Sequence, residues 1–311
     1  MGYLIEGIWV EGLERDKSKD GAFKRKETLF RNWITRDGHS GFKAELNRYH
    51  LYVSLACPWA HRTLIFREIK GLSSFISLSV VHWHMGINGW TFDAGDYVVP
   101  DNINEARYLY QVYTKSNSNY SGRVTVPVLW DIKENTIVSN ESSEIIRMFN
   151  SEFDDLGALP GDYYPKRLRK SIDSINERIY TDVNNGVYKC GFATSQKAYE
   201  EALITLFNTL DWIEDRLGSS TYLVGEDLTE ADWRLFTTLI RFDHVYVGHF
   251  KCNLKNISDY PNLSKYLSNL YNMPGISSTI NIDHIKKHYY LSHNTINPNG
   301  IVPKGPIFNF L

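Results

Sequence analysis

The sequence lacks most of the features that would place it outside the cell or in a membrane. Its three cysteines among 311 residues are too few and too scattered for a disulfide framework. No run approaches the roughly 18 apolar residues of a membrane span, and the first residues lack the basic and apolar parts of a secretory signal. Lys and Arg number 34 against 36 Asp and Glu, so no basic surplus indicates a nucleic-acid or anionic membrane partner. These absences predict a protein of the reducing cytoplasm with no nucleic-acid or membrane partner.

Two patterns of apolar residues divide the chain. Between residues 48 and 155, strand-like and helix-like runs follow the order βαβ…ββα, which predicts a small mixed sheet covered by helices, with a long insertion at 84–122. Between residues 160 and 290 apolar residues recur at helical spacing, which predicts an all-helical domain. Residues 1–47 are interpreted as an arm that wraps a neighbouring domain, and residues 291–311 as a C-terminal tail.

Cys57 stands between an apolar strand-like stretch and a helix-like one that begins with Pro58. Proline suits the first position of a helix, because its missing N–H is not needed there. A thiol at that point faces unpaired backbone N–H groups and the positive end of the helix dipole, which favour the nucleophilic thiolate. The alternative is a small cysteine that only packs, which is the interpretation we adopt for Cys190 and Cys252.

Position 60 decides what kind of thiol chemistry is open to this cysteine. A dithiol redox enzyme would have its resolving cysteine there, and this chain has Ala60. The protein therefore cannot close a Cys-x-x-Cys disulfide, and a catalytic Cys57 needs an external thiol.

Pro127 interrupts a β-branched run, Val124 to Trp130, where a proline would remove a ladder hydrogen bond. A cis Val126–Pro127 peptide at the start of that strand would reconcile the two and leave the Val126 backbone free to pair with a ligand. An ordinary edge-strand proline is the alternative.

These motifs together resemble the glutathione transferases. The thiol after the first strand, the Val-Pro strand and the helix opening at Glu141 resemble the thioredoxin-like N-terminal half of that superfamily, and Thr229 to Asp232 resembles the capping box of its helical half. The fold class implied is a thioredoxin-like mixed-sheet domain followed by an all-helical domain. Five segments more narrowly resemble the glutathionyl-hydroquinone reductases, the Xi class: Cys57-Pro-Trp-Ala-His-Arg62, Asn140-Glu-Ser-Ser-Glu-Ile-Ile146, Val183-Asn-Asn-Gly-Val-Tyr188, Arg241-Phe-Asp-His-Val-Tyr246 and His284-Ile-Lys-Lys-His-Tyr-Tyr290.

The resemblance implies an enzyme that uses glutathione as co-substrate and thiol donor to reduce glutathionyl-hydroquinones. Cys57 would take glutathione from the quinol as a mixed disulfide, which a second glutathione resolves. Tyr188 would donate a proton to the leaving quinol carbon, and Tyr246 and Tyr289 would hydrogen-bond the nucleophilic sulfur. A homodimer is also implied.

The same resemblance implies a glutathione site. Glutathione carries two carboxylates and an ammonium, so cations, a carboxylate and backbone groups suit it. The implied binding residues are Trp90, Arg123, Val126, Glu141 and Ser142. Taken singly, Arg123 has the alternative of a solvated charge, Trp90 of a core residue in the insertion, and Glu141 of a helix-start acid.

The remaining alternatives concern metals and the reaction class. His82 and His84 could share one side of a strand as zinc ligands, but no third or fourth ligand follows at a recognisable spacing, so no metal is predicted. The competing functions are a glutathione-dependent thioltransferase or dehydroascorbate reductase, and a noncatalytic transferase-fold interaction module.

Overall fold

The computed structural model describes residues 2–12, 20–23, 25 and 27–307. The chain folds into two compact units. The first unit comprises Met1–Arg15, Glu27–Gly161 and Thr279–His288. The second unit comprises Asp16–Lys26, Asp162–Ser278 and Tyr289–Leu311.

This division differs from the sequence boundaries at two places. The arm predicted over 1–47 is shared between both units, and residues 279–288, which the apolar pattern assigned to the helical domain, belong to the first unit. Hydrogen bonds explain the second difference. The His284 Nε2 lies 2.6 Å from the Asp96 carbonyl, inside the insertion, and the His288 Nδ1 lies 2.9 Å from the Trp83 carbonyl, directly before it.

The first unit contains the strands and three of the helices. The strands are β1 (Tyr3–Ile5), β2 (Ile8–Val10), β3 (Ile34–Thr35), β4 (Phe42–Lys43), β5 (Tyr49–Val53), β6 (Ile76–Val80), β7 (Val128–Asp131) and β8 (Thr136–Ser139). The helices are α1 (Pro58–Ile69), α2 (Leu109–Ser116) and α3 (Ser142–Ser151). The central sheet has the order β6-β5-β7-β8, with β5 parallel to β6 and antiparallel to β7, and β7 antiparallel to β8. The predicted mixed sheet is confirmed.

The turn after β5 positions the start of α1. All five residues of β5 are buried, as expected for a central strand. The strand ends at Val53, because the Ser54 hydroxyl accepts the Ala56 N–H and the Ser54 carbonyl accepts the Cys57 N–H. This turn brings the chain directly into α1 with Cys57 as its N-cap residue.

The insertion is ordered by one buried carboxylate. Asp101 accepts the backbone N–H groups of Ile103, Asn104 and Ala106. These bonds hold the segment as a turn, so the helix begins only at Leu109 and not at Ile103, where its apolar pattern starts.

The second unit has helices as its regular elements. They are α4 (Arg169–Ile179), α5 (Gly186–Phe192), α6 (Gln196–Leu217), α7 (Glu230–Arg241), α8 (Val247–His249) and α9 (Pro261–Tyr271). The last helix, α10 (Ile282–Ser292), contributes residues to both units. Single π-turns, Tyr180–Asn184 and Phe242–Tyr246, follow α4 and α7, and 3₁₀ turns occupy Leu72–Ser74, Asp154–Leu156, Lys166–Leu168, Ile257–Asp259 and Ile276–Thr279.

The predicted capping box of α7 is confirmed. The fully buried Asp232 carboxylate accepts the Thr229 N–H at 2.8 Å and the Thr229 hydroxyl at 3.0 Å. Its other oxygen accepts the Leu223 N–H and the Tyr266 hydroxyl, each at 2.9 Å. One carboxylate thus joins the start of α7 to the preceding loop and to α9. Among the helices of the described residues, none has the length and apolar character needed to cross a bilayer.

Candidate active site

Cys57 is the N-cap residue of α1, with an extended backbone (φ −76°, ψ 122°) and Pro58 directly after it. Its thiol is half-buried, and its carbonyl accepts the His61 N–H at 3.0 Å. The helix therefore starts where the sequence predicts it.

Val126 is the predicted ligand-binding residue that the structure brings to Cys57. The Val126–Pro127 peptide is cis, which is one of the two alternatives that the sequence left open, and the pair directly precedes β7. The Cys57 thiol donates to the Val126 carbonyl at 3.5 Å. The Val126 backbone is thus beside the thiol without belonging to the sheet ladder.

Glu141 and Ser142 form the beginning of α3. The Glu141 carboxylate accepts the Ser143 N–H at 3.0 Å and the Ser143 hydroxyl at 2.9 Å, and the Thr28 hydroxyl lies 3.3 Å from its other oxygen. Burial opposes ionisation of Glu141, but the Ser143 hydrogen bonds and the positive charges of Arg62 and Arg31 outweigh it and lower the pKa of the carboxyl. Glu141 is therefore an anion at neutral pH.

Trp90 and Arg123 lie in and just after the insertion. Trp90 is buried, and its ring stacks on His288, with centroids 4.8 Å apart and planes 24° apart. Arg123 is half-exposed, and its carbonyl accepts the Tyr120 hydroxyl at 2.9 Å. Trp90 thus contacts α10, and Arg123 contacts Tyr120 of the insertion.

Tyr188, Tyr246 and Tyr289 are brought together in the second unit. The Tyr289 hydroxyl lies 2.6 Å from that of Tyr188 and 3.1 Å from that of Tyr246. Tyr188 is half-buried, whereas Tyr246 and Tyr289 are sealed from solvent. Burial raises the pKa of the Tyr246 and Tyr289 hydroxyls well above the usual value, although the charge of Arg241 acts in the opposite direction. Both are neutral hydrogen-bond donors at physiological pH.

The two histidines that were considered as zinc ligands, His82 and His84, do not belong to a metal cluster in the described part of the chain. The His84 N–H donates to the His82 Nδ1 at 3.0 Å. Across residues 2–12, 20–23, 25 and 27–307, no group of three or more His, Cys, Asp or Glu side chains is arranged to hold a metal ion.

Comparison with known proteins identifies the family. Residues 56–152 match the model of the glutathione S-transferase N-terminal domain, and residues 196–268 match that of its C-terminal domain. The glutathionyl-hydroquinone reductase PcpF of Sphingobium chlorophenolicum is 57% identical over 306 residues, covering 98% of this chain and 96% of the relative. The reductase YqjG of Escherichia coli is also 57% identical, covering 98% and 95%. The glutathione transferase Xi from Phanerochaete chrysosporium superposes with a TM-score of 0.91 at 53% identity, covering 94% of this chain and 95% of that one. This chain belongs to the Xi class of glutathione transferases.

A second solved structure of this family has glutathione bound. The glutathione-bound structure of E. coli YqjG superposes with a TM-score of 0.92 at 55% identity, covering 99% of this chain and 97% of that one. The family resemblance inferred from five motifs and the transferase fold class are both confirmed.

Sequence reasoning about this Xi-class chain missed one buried cation beside the Glu141 and Ser142 segment. Arg62 is 1% exposed, its Nη1 lies 3.5 Å from the Ser142 hydroxyl, and its guanidinium packs over the Trp59 ring. The signal was present in the motif itself, because a charged residue five positions into a buried helix requires a polar partner.

A second missed residue lies beside Tyr188. The Arg25 guanidinium packs over the Tyr188 ring at 5.0 Å, and its Nε donates to the Asn185 amide oxygen at 2.7 Å. Nothing in the local pattern of the polar arm pointed to this contact, because it joins residues 160 positions apart in the sequence.

Proposed function

We propose that this chain reduces glutathionyl-hydroquinones, releasing the hydroquinone and oxidised glutathione. The observation that carries the proposal is the half-buried Cys57 thiol at the start of α1, with Ala60 where a resolving cysteine would stand. Its support is the near-full-length similarity to two proteins named as glutathionyl-hydroquinone reductases.

A single protein thiol is sufficient for this reaction. The Cys57 thiolate attacks the glutathione sulfur of the conjugate, the bond between that sulfur and the ring carbon breaks, and the carbon takes a proton from Tyr188. The ring carbon is thereby reduced while two sulfurs are oxidised to a mixed disulfide. A second glutathione loses its thiol proton and attacks the mixed disulfide, so that oxidised glutathione and the Cys57 thiolate leave. One proton is consumed and one is released.

Glutathione is proposed to bind through Trp90, Arg123, Val126, Glu141 and Ser142. The ionised Glu141 suits the γ-glutamyl ammonium, and the N-terminus of α3 with Ser142 suits the neighbouring carboxylate. The Val126 backbone suits strand-like pairing with the cysteinyl part of the peptide. Tyr246 and Tyr289 are proposed to hydrogen-bond the reacting sulfur.

The adduct on Cys57 tests the proposal directly. Protein is mixed with a glutathionyl-hydroquinone and no free glutathione, and then analysed by intact mass and peptide mapping. We expect one glutathione on Cys57 and one hydroquinone released per chain, no adduct in Cys57→Ser, and an unchanged adduct in the matched control Cys190→Ser. Full turnover by Cys57→Ser would overturn the nucleophile assignment.

Thiol transfer to disulfides is the second candidate, because a Cys57 thiolate without a resolving cysteine at position 60 can also exchange with a glutathionylated disulfide. The two functions separate when the glutathionyl-hydroquinone and a glutathionylated disulfide are assayed side by side. We expect kcat/KM to favour the hydroquinone conjugate. A preference for the disulfide by orders of magnitude would replace the first proposal with the second.

We also propose that the protein is a homodimer of the reducing cytoplasm. The dimer is tested by light scattering of the purified protein, where a mass of twice 36.0 kDa is expected.

A further inference from the structure

The two cysteines outside the active site, Cys190 and Cys252, lie against each other in the second unit. Cys190 belongs to α5, and Cys252 follows α8. Both are free thiols, and a hydrogen bond joins the two side chains. No local pattern in the sequence pairs them, because the whole of α6 and α7 separates them along the chain. Two thiols in contact have a chemistry that neither has alone, since they can be oxidised to a disulfide.

The packing of α5 holds Cys190 close to the segment that carries Cys252. A Cβ added at Gly191, the residue after Cys190, would overlap the Phe250 ring. The rings of Phe192 and Phe250 also pack together, with centroids 5.2 Å apart. The helix and the segment therefore touch on the residues that flank the two thiols.

The backbone of Cys252 is fixed by the turn before it. Lys251 has a positive φ of 60°, and the Cys252 N–H donates to the Tyr246 carbonyl at 2.9 Å. The Tyr199 hydroxyl of α6 donates to the Lys251 carbonyl at 2.7 Å. Burial raises the pKa of Tyr199, and negative charge on Cys190 or on Cys252 raises it further, so this phenol is near both sulfurs. Contacts from α6 and from the π-turn thus keep Cys252 in place beside α5.

The two thiols differ in access and in acidity. Cys190 is 4% exposed and Cys252 is 0% exposed. Burial, and then the hydrogen bond with Cys190, raises the pKa of Cys252 well above its usual value, so this residue is a neutral thiol at physiological pH. The thiolate is the form that reacts with oxidants. Cys190 is therefore the sulfur that a small oxidant meets first, and Cys252 is held beside it.

We propose that Cys190 and Cys252 form a second redox site, at which a peroxide converts the two thiols to a disulfide. The Cys190 thiolate attacks one peroxide oxygen, the oxygen–oxygen bond breaks, and Cys190 becomes a sulfenic acid. The Cys252 sulfur then attacks the Cys190 sulfur and displaces hydroxide. The two thiol protons combine with the two hydroxides, so two thiols and one hydrogen peroxide give one disulfide and two waters. Cys57 takes no part in this reaction.

Peptide mapping of the unmodified protein tests the site. Reduced protein is treated with hydrogen peroxide, denatured with an alkylating reagent and digested without reductant. We expect a peptide pair linked through Cys190 and Cys252, which dithiothreitol separates. The same link is expected in Cys57→Ser, so the result is independent of the proposed function at Cys57. Complete alkylation of both thiols after Cys57 has been oxidised in the unmodified protein would overturn the proposal.

Two alanine variants test the order of the steps. In Cys252→Ala the attacked sulfur has no partner, so we expect peroxide to add oxygen to Cys190. In Cys190→Ala we expect the loss of the Cys252 thiol to be slower than in the unmodified protein by roughly tenfold or more, because the remaining thiol is buried and protonated. Thermal unfolding reports whether each variant is folded. Oxidation of Cys252 at the same rate with and without Cys190 would refute the pair.

Oxidised glutathione tests the choice of oxidant. It is far larger than hydrogen peroxide, and 4% exposure at Cys190 leaves little surface for it to reach. We expect oxidised glutathione to leave Cys190 and Cys252 as thiols under conditions in which peroxide links them. A link formed as readily by oxidised glutathione as by peroxide would contradict the assignment of a peroxide as the oxidant.

Discussion

At the scale of single residues, Glu141 combines a burial that disfavours charge with contacts that favour it. Its carboxylate accepts two hydrogen bonds from Ser143 and one from Thr28, and Arg62 lies behind the neighbouring Ser142. The helix start alone predicted an acid at this position, but the two arginines that keep it ionised come from distant parts of the sequence. This explains why sequence reasoning found the residue and missed its environment.

We expect Glu141→Gln to raise the KM for glutathione about tenfold to a hundredfold, because a hydrogen bond to a charged group contributes about 1.5–3 kcal/mol. The variant keeps the shape of the side chain and removes the charge that would face the ammonium. The measurement is the initial rate against glutathione concentration. Glu144→Gln, one turn further along α3 and paired with Arg31 at 2.6 Å, is the matched control and should change KM little.

The lowered pKa of Glu141 also predicts a pH dependence. The ordinary value is 4.5 and the folded value lies below it. The stabilising charge is therefore complete above the ordinary value and is lost only as the pH falls through the folded pKa. The KM for glutathione should show no Glu141-dependent change from about pH 5 upward, and a rise centred near neutral pH would contradict the assignment.

At the scale of elements, α5 packs against the ring of Phe250, which contacts the rings of Tyr188, Tyr246 and Tyr289. A Cβ added at Gly191 would overlap the Phe250 ring. That ring lies 5.5 Å from those of Tyr188 and Tyr246 and 5.6 Å from that of Tyr289, measured between centroids. Glycine is therefore required here for close approach and not for an unusual backbone conformation.

We expect Gly191→Ala to displace Phe250, lower the free energy of unfolding by about 1–3 kcal/mol as other overpacked cores do, and slow hydroquinone release. Urea unfolding and single-turnover kinetics measure the two effects. Gly186→Ala, at the start of the same helix, is the matched control, since its Cβ would lie 3.5 Å from Leu206 in ordinary contact. Equal effects of the two substitutions would rule out the Phe250 explanation.

The elements differ in how far their sequence predicts them. The mixed sheet, the α1 start at Pro58 and the α7 capping box depend on local patterns, and the structure confirms each. The π-turns that end at Asn184 and Tyr246 have no local signature, because their apolar residues continue the spacing of α4 and α7. Yet Tyr246 lies at the end of such a turn, where its hydroxyl is 3.1 Å from that of Tyr289, so the site was less predictable than the fold.

At the scale of the whole molecule, α10 contributes to both compact units. Its residues up to His288 belong to the first unit, and those from Tyr289 onward to the second. Helical periodicity predicted the helix but not its allocation, because the bonds of His284 and His288 to the Asp96 and Trp83 carbonyls join residues 188 and 205 positions apart. Two adjacent side chains of one helix consequently belong to different compact units.

The division of α10 between the two units predicts that substitutions at His288 and at Tyr289 have different effects on catalysis. His288→Ala removes the ring stacked on Trp90 and the bond to the Trp83 carbonyl, so we expect the KM for glutathione to rise several-fold, on the order of 1 kcal/mol for an aromatic pair. The single-turnover rate of hydroquinone release should change little, because the hydroxyl groups of the three tyrosines are intact. Tyr289→Phe should give the reverse pattern, with slower hydroquinone release and a KM for glutathione that changes less.

Asp283→Asn serves as the control for both substitutions, because the exposed Asp283 pairs with Lys287 one turn along the same helix, at 2.6 Å. Such a surface pair contributes about 1 kcal/mol or less, so neither the KM for glutathione nor the rate of hydroquinone release should change. If His288→Ala slowed hydroquinone release as much as Tyr289→Phe does, the two side chains would share one role. The division of α10 between glutathione binding and the chemical step would then be wrong.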